Sequence, residues 1–533
     1  MTRRTADILA QRLYDAGIRY AFGMPGGEVL TFVDALQRAG ITFVLIRHEN
    51  AGGFMAEGVH HATGAPALLV TTVGPGALNA VNVVENARQD RVPMIVVTGA
   101  VDGAVAARYN HQVLDQVALF RTVTKASFTM EAGAAEALAD RAVALATDPR
   151  PGPVHIDLPI AVAAAEASPA PEQRRRPTLP TAPAGAALEA ARDMIARAKR
   201  PLIIAGVDAL NGGAGPQITK AAEGLSAPVI TSYKGKGLIG EAHPLAMGGA
   251  GLSPKADREL LPLVAEADLI LGAGYDPIEM RPGWQDPWDP AKMIDITAAP
   301  NDHYMHQGGI NIIGDIAASF AALTDGVANQ ASWGARPAEV KAALAKVFAP
   351  EPDWGPARVI ETCRRILPPE TRASADSGAH RILLSQMWRC DYPRALVQSS
   401  GLCTMGCAVP LAMGASLAEP DRPSVSFSGD AGFLMVAGEL ATAADLGLRT
   451  IFVVFVDRSL ALIELKQRQR QLANTGVDFG YTDFAALGRA MGGNGHRATD
   501  VAMLETALQS ALEADRFTVI AAEIERGAYD GKI

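Results

Sequence analysis

The sequence predicts an α/β protein made of three consecutive α/β domains, each with a mostly parallel sheet covered by helices. Short β-branched strings alternate with alanine-rich helical segments along nearly the whole chain, which is the pattern of βαβ units. The chain has 533 residues, several times the size of an ordinary domain. Two stretches dotted with proline interrupt the alternation and leave three blocks of similar size.

The opening, MTRRTADILAQRLYDAG, reads as a helix rather than a signal peptide, because Asp7 arrives before any apolar stretch of signal length. FVLI at 43–46, ALLVTTV at 67–73, MIVVTGA at 94–100 and VHIDLP at 154–159 read as buried strands of a first domain over 1–165. Residues 164–186, rich in Pro and Ala with an Arg run, read as a linker. A second domain over 187–325 carries strands at 201–207, 228–233, 269–274 and 292–297, and 326–355 reads as a partly helical connector. The third domain, 356–533, carries strands at 395–400, 424–430, 450–457 and 517–524.

Composition narrows the function classes. A hydrophobic share of 49% with 20% charged residues gives a globular chain rather than a disordered one. The formal charge of −9 gives no support to a nonspecific nucleic-acid binder, so small-molecule partners are expected. No apolar run approaches the ~20 residues of a membrane span. The four cysteines, Cys363, Cys390, Cys403 and Cys407, do not make a disulfide framework and fit a reducing cytoplasm. Cys403 and Cys407 lack a second pair for zinc and are expected to be buried thiols.

Chemistry concentrates at three places. SGDAG at 428–432 ends a strand on Asp430 among small residues that let a phosphate approach the backbone, and the next strand ends at Asp457. Two carboxylates at adjacent strand ends suit a hard divalent cation that also binds diphosphate, although a turn aspartate and a strand-end aspartate would read the same way. Glu49, in RHENAGGFMAEG, stands between a strand and a helix, where an isolated Glu is usually a cap. The turns FGMPGGE at 22–28 and TTVGPGALN at 71–79 give it company at one sheet edge and outline a pocket.

Together with GLCTMGCAVPLAMGA at 401–415, these motifs resemble the thiamine-diphosphate-dependent enzymes of the acetolactate synthase and 2-oxo acid decarboxylase superfamily, from about residue 4 to 525. NHQVLDQVALFRTVTK at 110–125, GYDPIEMRPGW at 274–284, SGAH at 377–380, VDFG at 477–480 and Asp457 are similar to its catabolic, flavin-independent acetolactate synthases. The resemblance implies an N-terminal pyrimidine-binding domain, a central domain and a C-terminal diphosphate-binding domain, with thiamine diphosphate and Mg²⁺ as cofactors and no functional FAD. It implies that Glu49 bonds the pyrimidine of a cofactor held by a partner chain and acts through it as general acid and base.

Asp430, Asp457 and the backbone carbonyl of Ser459 would hold Mg²⁺, and Met405 would prop the cofactor into a bent shape, although a lone Met is more often core. Gln112 would meet the substrate, with His111 and His380 adding polar contacts, although such residues are ordinarily solvated or structural. Pro25, Gly26, Thr72, Asn79, Gly378, Gly429, Ala431 and Gly432 would line the cofactor. The chain departs from the pattern at Ile160, where related synthases often carry Gln or Lys, and at Cys403 and Cys407. The implied unit is a homodimer at minimum, with a homotetramer expected, acting on a pyruvate-like 2-oxo acid without nucleic acid or membrane. The implied reaction is decarboxylation followed by carboligation. The alternatives are a decarboxylase releasing an aldehyde, a noncatalytic regulatory homologue and a flavin-bearing redox enzyme.

Overall fold

The computed structural model describes residues 3–167 and 181–533, apart from positions 279, 286 and 302. Three six-stranded parallel sheets form its framework. In the first, the spatial order is Thr42–Leu45, Tyr20–Met24, Ala67–Thr71, Met94–Ala100, Pro153–Pro159, Ala126–Thr129. In the third it is Leu396–Gln398, Arg372–Ala375, Ser424–Gly429, Ile451–Val456, Thr518–Glu523, Asn494–Ala498. Numbered along each block, both sheets run 2-1-3-4-6-5, so the two candidate cofactor regions are topological twins.

The central sheet differs. Its order is Ala246–Ala250, Val229–Ser232, Pro201–Ala205, Leu269–Ala273, Met293–Thr297, Ile310–Ile313. That is 3-2-1-4-5-6, the strand order of dinucleotide-binding sheets, whose ligand crevice opens where the order reverses. Here the crevice receives Arg91 from the first block, which pairs with Asp208 and, at 2.5 Å, with Asp276 beyond the two strands flanking the reversal.

Helices cover each sheet because the strands are apolar on both faces; Met94–Ala100 and Ile451–Val456 are buried at every position. The first and third blocks meet through two helices, Glu49–Thr63 and Ala408–Ala418. Glycines make the approach possible: a Cβ on Gly58 would lie 2.2 Å from the Leu411 carbonyl oxygen, and one on Gly414 2.0 Å from that of Met55. Phe54, Val84, Leu411 and Phe452 accordingly belong to one continuous core.

Two expectations, the linker and the burial of Cys403, need correction. The expected linker is ordered at its start, where helix Ile160–Ala164 leads into Glu166–Ala167, paired antiparallel with Arg3–Arg4. Residues 168–180 of that linker lie outside the described residues. The connector is partly helical as expected: it carries helix Arg336–Val347, flanked by buried Trp333 and Phe348 that join the core. Cys403 is exposed, unlike the other three cysteines; it lies in the loop before helix Ala408–Ala418 with a positive φ of 54°, its Sγ donating to the Ser400 carbonyl at 3.1 Å. Among the described residues no helix is long and apolar enough to cross a membrane.

Candidate active site

At the first sheet's carboxyl edge, strand Tyr20–Met24 runs into Pro25 and Gly26, and Ala67–Thr71 into Thr72. The two turns touch. A Cβ on Gly26 would lie 2.2 Å from Thr72 Oγ1, so only glycine admits the threonine, whose hydroxyl donates to Glu28 Oε2 at 2.7 Å. Pro25 is exposed at the rim.

Glu49 is the first residue of its helix and is 7% exposed. It is not the cap. His48 fills that position, its Nδ1 accepting the Asn50 N–H at 3.2 Å. Asn79 Nδ2 donates to Glu49 Oε2 at 3.0 Å, and Glu49 Oε1 faces Gly76, whose absent side chain leaves it room. Glu49, Asn79, Thr72 and Gly26 thus share one sheet edge.

Gln112 and His111 lie on an exposed loop. Gln112 has a φ of 59°, and its carbonyl backs onto Gly74, where a Cβ would come within 2.6 Å. This places Gln112 beside the turn that leads to Asn79. His111 packs edge-on against Tyr109, with ring centres 6.0 Å apart. Gln116, which the sequence reading left unassigned, ties the loop down. Its Oε1 accepts the Gly74 N–H at 2.9 Å and its Nε2 donates to Asp157 at 2.6 Å.

The third sheet builds the other half. Asp430 is the first residue of helix Asp430–Val436; its Oδ1 accepts the Ala431 N–H at 2.8 Å and its Oδ2 the Arg458 N–H at 2.7 Å, so it reaches the end of the neighbouring strand. Asp457 Oδ1 accepts the Ser459 N–H at 3.1 Å, and the Ser459 hydroxyl donates to Glu464. Burial, and then the charge of Asp430, push Asp457 up to about 7; burial likewise raises Asp430. A cation would relieve both the burial that raises the two acids and the charge that Asp430 sets against Asp457. Among the described residues no cluster of three His, Cys, Asp or Glu side chains could hold a metal. A cation here would therefore need backbone and ligand oxygens to complete its shell.

His380 lies beside Gly378 and Gly429, stacks on Phe455 at 5.4 Å and leaves its buried Nε2 without a partner. Burial holds it down at about 3, so it is neutral. Met405 is half-buried in a loop fixed at both ends. Asp376 accepts N–H groups from Gly406 at 2.8 Å and Cys407 at 3.2 Å, and Gly432 leaves room for its carboxylate. Asp90, from the first block, accepts those of Ser400 and Gly401 while pairing with Lys234 at 2.7 Å.

Asp376, Asp90 and Glu439 escaped the sequence reading. Glu439 accepts the N–H groups of Arg47 at 3.0 Å and His48 at 2.8 Å, so the third block fixes the turn that delivers Glu49. Asp376 adjoins the SGAH motif and Glu439 falls in the AGELATA run, which was the only signal either offered.

Comparison with known proteins finds three successive family domains along the chain. Residues 3–119 match the N-terminal TPP binding domain of thiamine pyrophosphate enzymes, 188–323 the central domain and 376–522 the C-terminal TPP binding domain. A catabolic acetolactate synthase of Raoultella terrigena is 29% identical, covering 98% of this chain and 95% of its own. An acetolactate synthase large subunit of Parasynechococcus marenigrum is 30% identical over 98% and 88%. A probable 2-ketoarginine decarboxylase of Pseudomonas aeruginosa is 30% identical over 97% and 94%. Fold and comparisons thus define a cofactor-dependent enzyme. The chain belongs to the thiamine pyrophosphate enzyme family, among its acetolactate synthase-like members.

Proposed function

We propose that the protein uses thiamine diphosphate and Mg²⁺ to decarboxylate a pyruvate-like 2-oxo acid and to join the remaining fragment to a second carbonyl compound, giving an acetolactate-type product. The observation that carries the reading is Glu49: a buried carboxylate, released from capping by His48 and oriented by Asn79, at the edge where the family's N-terminal half-site lies. Thiamine diphosphate, when bound, would supply a nucleophilic carbon for the oxo group and an electron sink for loss of CO₂. Glu49 holds or passes the proton at the pyrimidine ring. Asp430 and Asp457, with the Ser459 carbonyl, would hold Mg²⁺, and Met405 would lie against the cofactor. Pro25, Gly26, Thr72, Gly378, His380, Gly429, Ala431 and Gly432 line it, and Gln112 and His111 meet the substrate.

Exposed Leu30 and Leu78 flank the first half-site and exposed Leu434 and Met435 the second. Apolar rims on both halves support a second copy closing the site and excluding water, hence a homodimer at minimum and a homotetramer in full. Arg91 in the central crevice supports a flavin-free enzyme. Four free cysteines suit a cytoplasmic location.

A decarboxylase that releases an aldehyde is the second reading. The 2-ketoarginine decarboxylase relative favours it, as does Ile160, 40% exposed where a polar contact would be expected. Product analysis after incubation with thiamine diphosphate, Mg²⁺ and a panel of 2-oxo acids decides. Acetolactate-type product supports the proposal, and aldehyde alone replaces it with the second reading.

A further inference from the structure

A cavity of about 800 Å³ opens where the three blocks meet, lined by neither Glu49 nor Asp430. The third block contributes Arg372, Arg394 and Arg422, the first contributes His61, and helix Gly215–Leu225 of the central block forms the opposite wall.

The charges on the arginine side do not balance. Arg372 and Arg422 share one carboxylate, Glu419, at 2.8 and 3.0 Å. Arg394 pairs with no carboxylate among the described residues. Its Nη2 donates to the Asn211 side-chain oxygen at 3.1 Å, while its buried Nε has no acceptor. Its backbone, moreover, sits at a φ of 62°, a conformation that costs energy in a residue other than glycine. Across the cavity Lys220 pairs with Asp325 at 2.9 Å and Asp391 with Arg389 at 2.9 Å, while Glu223 contacts His243 at 3.2 Å and keeps its charge. Three guanidinium groups against two carboxylates, Glu419 and Glu223, leave one positive charge in excess on the space, nearest the unpaired Arg394.

His61 adds an unpaired polar atom. It is 8% exposed, its Nε2 turns to Glu57 at 3.2 Å, and its Nδ1 has no partner. The neighbouring His60 registers the same field: burial first, and then the positive charge of Arg394, lower it to about 3. An uncompensated guanidinium away from bulk water is costly unless an anion joins it, and planar guanidinium donors match carboxylate and phosphate oxygens.

We propose that this three-block cavity is a binding site for a small dianion, either a phosphate or a dicarboxylate, held by Arg394 together with Arg372, Arg422 and His61. The site is separate from the proposed reaction centre.

The test is calorimetric titration of the enzyme saturated with thiamine diphosphate and Mg²⁺, so that the diphosphate position is already filled. Inorganic phosphate forms one arm and succinate the other, both at constant ionic strength with chloride as control. Saturable binding of either at one site per chain is expected, and whichever binds identifies the ligand class. Arg394→Gln should weaken binding by at least about tenfold, the scale of a lost charge-assisted hydrogen bond. Thr219→Glu, on the half-buried face of the opposite helix, leaves every arginine in place but sets a carboxylate across from them; it should weaken binding as much without changing turnover. The proposal is overturned if neither dianion saturates, or if Thr219→Glu binds as the wild type does.

Discussion

Glu49→Gln separates chemistry from folding, and the structure fixes what each should lose. As a helix cap Glu49 would carry the first turn, but His48 already does so, which leaves the carboxylate one hydrogen bond, from Asn79. Glutamine keeps an oxygen for that bond. The cost is the difference between a charge-assisted and a neutral hydrogen bond plus the carboxylate's favourable place in the first turn, together about 1–2 kcal/mol. Turnover should respond on another scale, because an amide neither takes up nor releases a proton at the cofactor ring; a fall of roughly 10²-fold or more is expected. Deuterium exchange at the reactive carbon of bound thiamine diphosphate, measured in wild type and variant with Mg²⁺ present, isolates the activation step from substrate binding. Thermal melts of the same samples report folding. Equal exchange rates, or an activity loss that merely follows a large drop in melting temperature, would refute the assignment of Glu49.

Further outcomes test the rest of the site. Glu439→Ala strips the acceptor from two backbone N–H groups before Glu49 and should cost about 1–3 kcal/mol with a drop in turnover, whereas Glu439→Gln, which keeps one oxygen acceptor, should recover much of both; identical melting curves for all three proteins would dismiss the contact. Asp430→Ala should abolish tight cofactor binding, read by tryptophan fluorescence titration with thiamine diphosphate and Mg²⁺. Asp457 is raised to about 7 in the folded chain against an unfolded value near 4, so its contribution to the stability of the apo protein is full below about pH 4 and lost as pH rises through 7. A cation needs the ionised form, so metal binding at pH 6 should release protons and strengthen as pH rises to 7; calorimetry in buffers of different ionisation enthalpy would show no release if Asp457 stays outside the metal shell.

Much of this molecule was legible along the chain. Strands such as Met94–Ala100 and Ile451–Val456 are β-branched runs buried on both faces, and a parallel sheet demands that composition wherever helices cover it. The small-residue turns around Gly26 and Asp430 were legible for a related reason, since close approach between a turn and its neighbour excludes larger side chains. Strands such as Ala246–Ala250, Arg372–Ala375 and Asn494–Ala498 gave no such sign. AMGGA, RASA and NGHRA have little intrinsic preference for a sheet and become strands because a neighbouring strand pairs with them.

What the sequence by itself determined was the set of local elements and the identity of the reactive side chains, because periodicity, turn chemistry and acid placement act over a few residues. The tertiary structure decided what those side chains do. Glu49 is released from capping by its own neighbour His48, but it is positioned by Asn79 thirty residues on and by Glu439 from another block. Met405 is held between Asp90 and Asp376, and Asp457 acquires its raised proton affinity only when folding buries it beside Asp430. Hydrogen bonds and charge repulsion of this kind depend on distance through space and on loss of water, and neither quantity exists until distant segments have packed together.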